Sequence, residues 1–142
     1  MSRIIKFRAW DKKRKRMYKV LHLHLASFEG SWATVEGFDV IAQSEVNIQI
    51  QPKDVELMQF TGLRDKTGKE IYEGDIVKHI SGWNEYVSEV FWDESSYMFK
   101  YKMPGGSDPI YYWMHPEKTE HEIIGNIYEN PELLSPKKSE EG

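Results

Sequence analysis

The chain contains no cysteine. Disulfide frameworks, thiolate nucleophiles, Cys-ligated zinc and iron–sulfur clusters are therefore closed to it, and a reducing compartment fits. Long apolar runs are missing too: none approaches the roughly 20 residues of a membrane-spanning helix, and the basic N-terminus lacks the apolar core of a signal peptide. The expectation is a chain that stays in the cell and off the membrane. Catalytic signatures are equally scarce. Gly62 and Gly68 superficially suggest a phosphate loop, but five residues separate them where a Walker A sequence has four. Glu70 follows Lys69 where a Ser or Thr must reach magnesium, and its charge would repel phosphate. There is no His-Glu-x-x-His spacing and no nucleophile elbow. Glu73 and Asp75 suit a turn into a core strand better than a pair of catalytic carboxylates, because no neighbour visibly desolvates them. No cofactor and no enzymatic activity are expected.

What is present is a chain of 142 residues with 39% hydrophobic, 30% charged and 13% aromatic residues, enough apolar surface for one real core or two small lobes. Its charge is polarised. Residues 1–20 carry nine Lys/Arg against Asp11 alone, and the other 122 carry ten against 22 acids, so +8 faces −12 within the net −4.

The hydrophobic period is mostly two, the period of strands. Ile4–Trp10 and Met17–Leu25 read as a hairpin whose tip is the unbroken basic run Lys12, Lys13, Arg14, Lys15, Arg16, with Asp11 opening the turn through an Asx-type bond. Glu45–Gln51 alternates cleanly, with Val46, Ile48 and Ile50 inward, and Pro52 ends it. Glu29-Gly30-Ser31 and Glu36-Gly37 read as turns around Trp32–Val35. Leu57–Thr61, Glu70–Tyr72, Ile76–Ile80, Tyr86–Trp92, Tyr97–Lys102, Ile110–Met114 and Glu122–Tyr128 complete about ten short strands. Between them, Arg64–Lys69 is a polar hairpin turn closed by Gly68. Asn130 ahead of Pro131 predicts an N-capped helical turn over 131–134. The fold class is all-β: an N-terminal lobe over 1–58, a barrel-like lobe over 59–134 and a charged tail over 135–142.

Three surface features carry candidate function. Five adjacent cations at Lys12–Arg16 would attract a nucleic-acid backbone, or simply keep a loop solvated. His22 and His24 share a strand face and could chelate a metal if His115, His121 or an acid came near. They have no such partner in local sequence, so they read as ordinary surface histidines. The aromatics exceed what one small core needs. Tyr111 and Trp113 point one way and Tyr112 the other, so one side of that strand is exposed or forms a second small core.

Three blocks carry a resemblance: Ile5–Asp11 with Met17-Tyr18, the run Gln59–Val77 containing Gly62-Leu63-Arg64-Asp65-Lys66-Thr67-Gly68-Lys69, and Ile124–Leu134. In this order, across nearly the whole chain, they resemble the YopX family of phage and prophage proteins. The resemblance implies a mainly β protein with an SH3-like barrel in its C-terminal half, a phage or prophage habitat in a bacterial cytoplasm, and no catalytic residues to carry over. The expectation is a non-catalytic β interaction module that binds a protein partner or itself through Tyr111 and Trp113. The alternative is a nucleic-acid-binding protein using Lys12–Arg16 with barrel aromatics.

Overall fold

A computed structural model describes residues 3–25, 33–39, 42–105, 107–114 and 120–135. Expectations for Glu29–Trp32, for His115 and for the tail beyond Ser135 lie outside these residues, as do the side chains of His22 and His24. The chain divides into two compact units, Met1–Phe60 and Thr61–Gly142. Strands dominate both, as the period-two pattern predicts: β1 Phe7–Asp11, β2 Arg16–Leu25, β3 Ala33–Asp39, β4 Ser44–Ile50, β5 Val55–Arg64, β6 Glu70–Tyr72, β7 Asp75–Ser81, β8 Asn84–Asp93, β9 Met98–Met103, β10 Ile110–Trp113 and β11 Glu122–Asn126. They form a six-stranded sheet ordered β4-β3-β2-β1-β5-β6 and a five-stranded sheet ordered β10-β9-β8-β7-β11. The protein is all-β, with 3-10 turns at Pro52–Asp54 and Pro131–Leu134.

In the first unit the β1–β2 hairpin pairs Arg8 with Lys19 and Asp11 with Arg16. Alternation sends Ala9 and Tyr18 to one face, where they join Ile50 in a core flanked by Val20, Val46, Ile48 and Val55. Glu36-Gly37, expected as a turn, instead runs through the middle of β3. The glycine serves close backbone approach: a Cβ on Gly37 would stand 2.3 Å from the Lys19 carbonyl oxygen, beside the register shift between Val20 and His22.

In the second unit Ile71, Val77, Val90 and Tyr101 form the core, with Leu63, Tyr112, Met114 and Ile123 packed against it. The sheet is open among the described residues, with β10 and β11 as its edges, so the expected barrel closure is not made. The two strands that would have to meet are the shortest in the sheet, four and five residues. Two boundaries also shift. Tyr97, expected in β9, lies in the preceding turn at φ 53°. Asp93 extends that turn by accepting from the Ser95 N–H and from both the Ser95 and Ser96 hydroxyls. The last strand stops at Asn126, whose Oδ1 accepts from the N–H groups of Tyr128 and Glu129 and turns the chain. Asn130 makes no side-chain cap on the turn at 131–134. Its Oδ1 instead takes the Asn126 N–H at 3.3 Å.

Candidate functional site

The predicted site residues fall in two places, one in each unit. Lys12–Lys15 form the turn between β1 and β2, and Arg16 begins β2. Asp11, completely buried, organises that turn. Its Oδ1 accepts from the N–H of Lys13 at 3.0 Å and of Arg14 at 3.1 Å, and its Oδ2 takes the Arg14 guanidinium at 2.8 Å. Burial pushes the Asp11 carboxyl upward, but the guanidinium and the two N–H donors outweigh it, so the group ionises more readily than an ordinary aspartate. The Lys15 N–H closes the turn on the Asp11 carbonyl, with Lys15 itself at φ 56°. The run is not a free cationic cluster. Lys12 Nζ lies 2.7 Å from Glu56, Lys13 Nζ 3.4 Å from Asp54, and Arg14 is bound to Asp11. A cleft of about 300 Å³ opens beside the tip, lined in part by Arg14, Gln49 and Asp54.

The same device recurs in the central block. Asp65, in the turn expected to be polar, is buried. Its Oδ1 accepts from the Thr67 N–H, the Thr67 hydroxyl and the Lys69 N–H at 2.7–2.9 Å, and its Oδ2 takes the Ile123 N–H at 3.1 Å. Burial alone would raise its pKa, but these donors lower it below the usual carboxylate range. Gly68 stands at φ +90°, as the hairpin reading requires. Asp75, also buried, accepts the Tyr72 N–H at 2.8 Å. These carboxylates hold turns closed. The signal for Asp65 was present in Asp65-Lys66-Thr67-Gly68, an Asx-type pattern ahead of a positive-φ glycine.

Tyr111 and Trp113 lie on β10, at the edge of the five-stranded sheet and on the face away from its core. They are 52% and 63% exposed. Register sets them in two rows: Phe91, Lys100 and Trp113 in one, Glu89, Lys102 and Tyr111 in the other. The rings of Phe91 and Tyr111 are 5.3 Å apart. Each cation between the rings faces an acid. Lys100 bonds Asp93 at 2.7 Å, and Lys102 draws down the carboxyl of Glu89, which burial pushes up. Tyr112, on the opposite face, packs into the core and its hydroxyl is bonded to that of Ser88.

Sequence reasoning missed a group of rings on that inner face: Tyr86, His79, His121, Tyr101 and Tyr112. Alternation sets His79 on the same face as Val77, but neither which face is the core nor the approach of His121, more than forty residues on, can be read from local sequence. Among the described residues no group of three His or acidic side chains could hold a metal ion.

The fold and these sites define a two-unit antiparallel β protein whose buried acids lock turns and whose aromatic edge strand faces outward. The family model for YopX protein matches residues 6–135, and the chain belongs to that family. Among solved structures, protein EF1440 from Enterococcus faecalis is similar at a TM-score of 0.60 and 23% identity, over 94% of this chain and 100% of that one. That likeness shows the fold alone. No curated protein matches the chain.

Proposed function

We propose that this YopX-family chain is a phage- or prophage-encoded, non-catalytic β interaction module acting in the bacterial cytoplasm, and that it binds a protein partner, another copy included, through β10. The observation that carries this reading is the exposure of Tyr111 and Trp113 on the outer face of a strand at the sheet edge among the described residues. An edge strand offers unpaired backbone groups to an incoming chain, and Tyr and Trp supply large contact area at low entropic cost. The buried acids support the non-catalytic part, because the oxygens of Asp11 and Asp65 are taken up by turn N–H groups, the Arg14 guanidinium and the Ile123 N–H.

Nucleic acid is the second reading. Lys15, exposed at the hairpin tip, favours it, while the acids set against Lys12, Lys13 and Arg14 count against it, since each must be released before its cation can meet a phosphate. Lys100, bonded to Asp93 beside the β10 rings, disfavours it in the same way.

The test compares tagged wild-type chain with Tyr111→Ser/Trp113→Ser in pull-downs from phage-infected cells, with light scattering of both purified proteins. The double variant should lose no more than about 2 kcal/mol in urea melts, since both rings are at least half exposed and the Phe91–Tyr111 ring contact is the main one removed, and it should lose its protein partner or self-association. An unchanged partner set and oligomeric state would refute the β10 reading. Duplex binding that weakens by about 0.9 log units per log unit of salt for each phosphate neutralised would favour the second.

A further inference from the structure

Four rings stack in series on the inner face of the five-stranded sheet. Tyr86 and His79 lie 5.2 Å apart at 24°, His79 and His121 4.4 Å apart at 38°, and His121 and Tyr101 4.3 Å apart at 9°. Tyr112 flanks the pile, 5.9 Å from His79 and 5.2 Å from Tyr101. The backbone explains the assembly. His79 stands opposite Tyr86 across β7–β8, and Tyr112 opposite Tyr101 across β9–β10. His121 immediately precedes β11, where Glu122 and Ile123 pair with Lys78 and Val77. The pile thus ties the β11 edge to the middle of the sheet.

The surroundings favour a neutral imidazole at His79. His79 Nδ1 is buried without a hydrogen-bond partner, and burial lowers the pKa of the ring, with Glu120 the opposing influence. Burial raises the pKa of Tyr101 and of Tyr112, so both phenols stay neutral through the imidazole range. Ser88, bonded to Tyr112, carries no charge. On the β5–β6 side, Lys66 donates its N–H to the His121 carbonyl and places its ammonium 3.3 Å from Glu122. Lys78 and Glu85 pair at 3.2 Å, and strand alternation puts them on the opposite face of β7 and β8. One proton in the pile is eased by the flanking ring faces. A second sets two cations in ring contact, and like charges that close disfavour each other strongly.

We propose that the ring pile is an acid-operated latch, in which protonation of both His79 and His121 releases the β11 edge from β7 while residues 3–60 stay folded. A group whose pKa is lowered in the closed form stabilises that form fully above its ordinary value, near 6.5, and loses this contribution as pH falls below it. Each proton taken up preferentially by the open form multiplies the opening constant by up to tenfold per pH unit, and two by up to a hundredfold.

The test is amide exchange from about pH 7.5 to about pH 5, read as protection factors so that intrinsic chemistry cancels. The Lys66 and Ile123 amides, bonded to His121 O and Asp65 Oδ2, report on the β11 edge. The Lys12 and Phe60 amides, bonded to Asp54 O and Lys6 O, report on the first unit. Protection at Lys66 and Ile123 should fall more than tenfold, protection at Lys12 and Phe60 should hold, and a His79→Phe/His121→Phe variant should flatten the response. Equal loss in both units, or an acid response that survives in the double variant, would overturn the latch. If the double variant does not fold, the imidazole resonances of the wild-type protein decide. Midpoints below 6.5 that coincide with the loss of protection support it, and two ordinary titrations in a sheet that stays closed overturn it.

Discussion

Replacing Asp65 should produce the largest loss of stability among the polar positions of the second unit. Its side chain is buried and accepts four hydrogen bonds, three closing the Asp65–Lys69 turn and one holding the N–H of Ile123 on β11. A bond to a charged acceptor contributes about 1.5–3 kcal/mol, and a buried donor left without a partner costs about 1–3 kcal/mol. These four are not additive, because the turn relaxes as a unit, so we expect Asp65→Ala to cost about 3–5 kcal/mol. That is a large share of the roughly 5–15 kcal/mol that holds a domain folded. Asp65→Asn keeps one good acceptor and sets an NH2 against donors, which should cost about 2–3 kcal/mol. The pH dependence separates charge from shape. The Asp65 pKa is lowered in the folded state, so its stabilisation is complete above the ordinary aspartate value near 3.9 and is lost as pH falls through the lower folded value. Urea melts at about pH 7 and about pH 3 should therefore show the Asn variant converging on wild type in acid. A cost below about 1 kcal/mol for Asp65→Ala, or parallel pH profiles for Asn and wild type, would show that the carboxylate is not the lock described here.

Gly68→Val should cost about 1–3 kcal/mol from backbone strain alone, because Gly68 lies at φ +90° with open space where a Cβ would go. Lys69→Ala should cost less than about 0.5 kcal/mol in the same melts, and ATP titrated into the parent should not bind saturably. At the basic tip, Arg14→Ala should lower the urea midpoint more than Lys15→Ala, since Arg14 neutralises the buried Asp11 and Lys15 stands exposed. Trp83→Ala should leave the midpoint unchanged, because Trp83 is 102% exposed at the β7–β8 tip. Chelator should not shift the melting temperature, and elemental analysis of purified protein should find no stoichiometric zinc.

Strand positions were legible in the sequence because period two is a local signal. Val46, Ile48 and Ile50 alternate in chain order, and their inward face follows without any long-range information. The positive φ of Gly68 was legible for the same reason. Burial of polar residues was not. Asp65 reads as a solvated turn residue until Ile123, 58 residues away, is brought to its second oxygen. Gly37 reads as a turn because chain order cannot show the Lys19 carbonyl pressed against it. The basic run looked free because Glu56 and Asp54 arrive from the start of β5 and the 3-10 turn before it. Alternation alone put Tyr111 and Trp113 on one side of β10 and Tyr112 on the other without telling which side is exposed, whereas His79 and His121 meet only through the β7–β11 pairing.

A chain built almost wholly of short strands must reverse direction often, and each reversal leaves backbone N–H groups that no ladder satisfies. Here Asp11, Asp39, Asp65, Asp93 and Asn126 accept those groups with their side chains. The four aspartates among them, of seven in the chain, are consequently committed to turns. What the fold leaves uncommitted is aromatic, and its distribution separates chance from design. Trp83 and Tyr97 are exposed singly at turns, which is ordinary for a surface. Tyr111 and Trp113 are exposed together on the outer face of one edge strand, with Phe91 against Tyr111. Burying a side chain of this size is worth about 1.5–3 kcal/mol, so a contiguous set forgoes several such contributions in the isolated chain and recovers them when a partner covers it. A paired tip and an open aromatic edge therefore argue for recognition of a protein surface over attraction to phosphate.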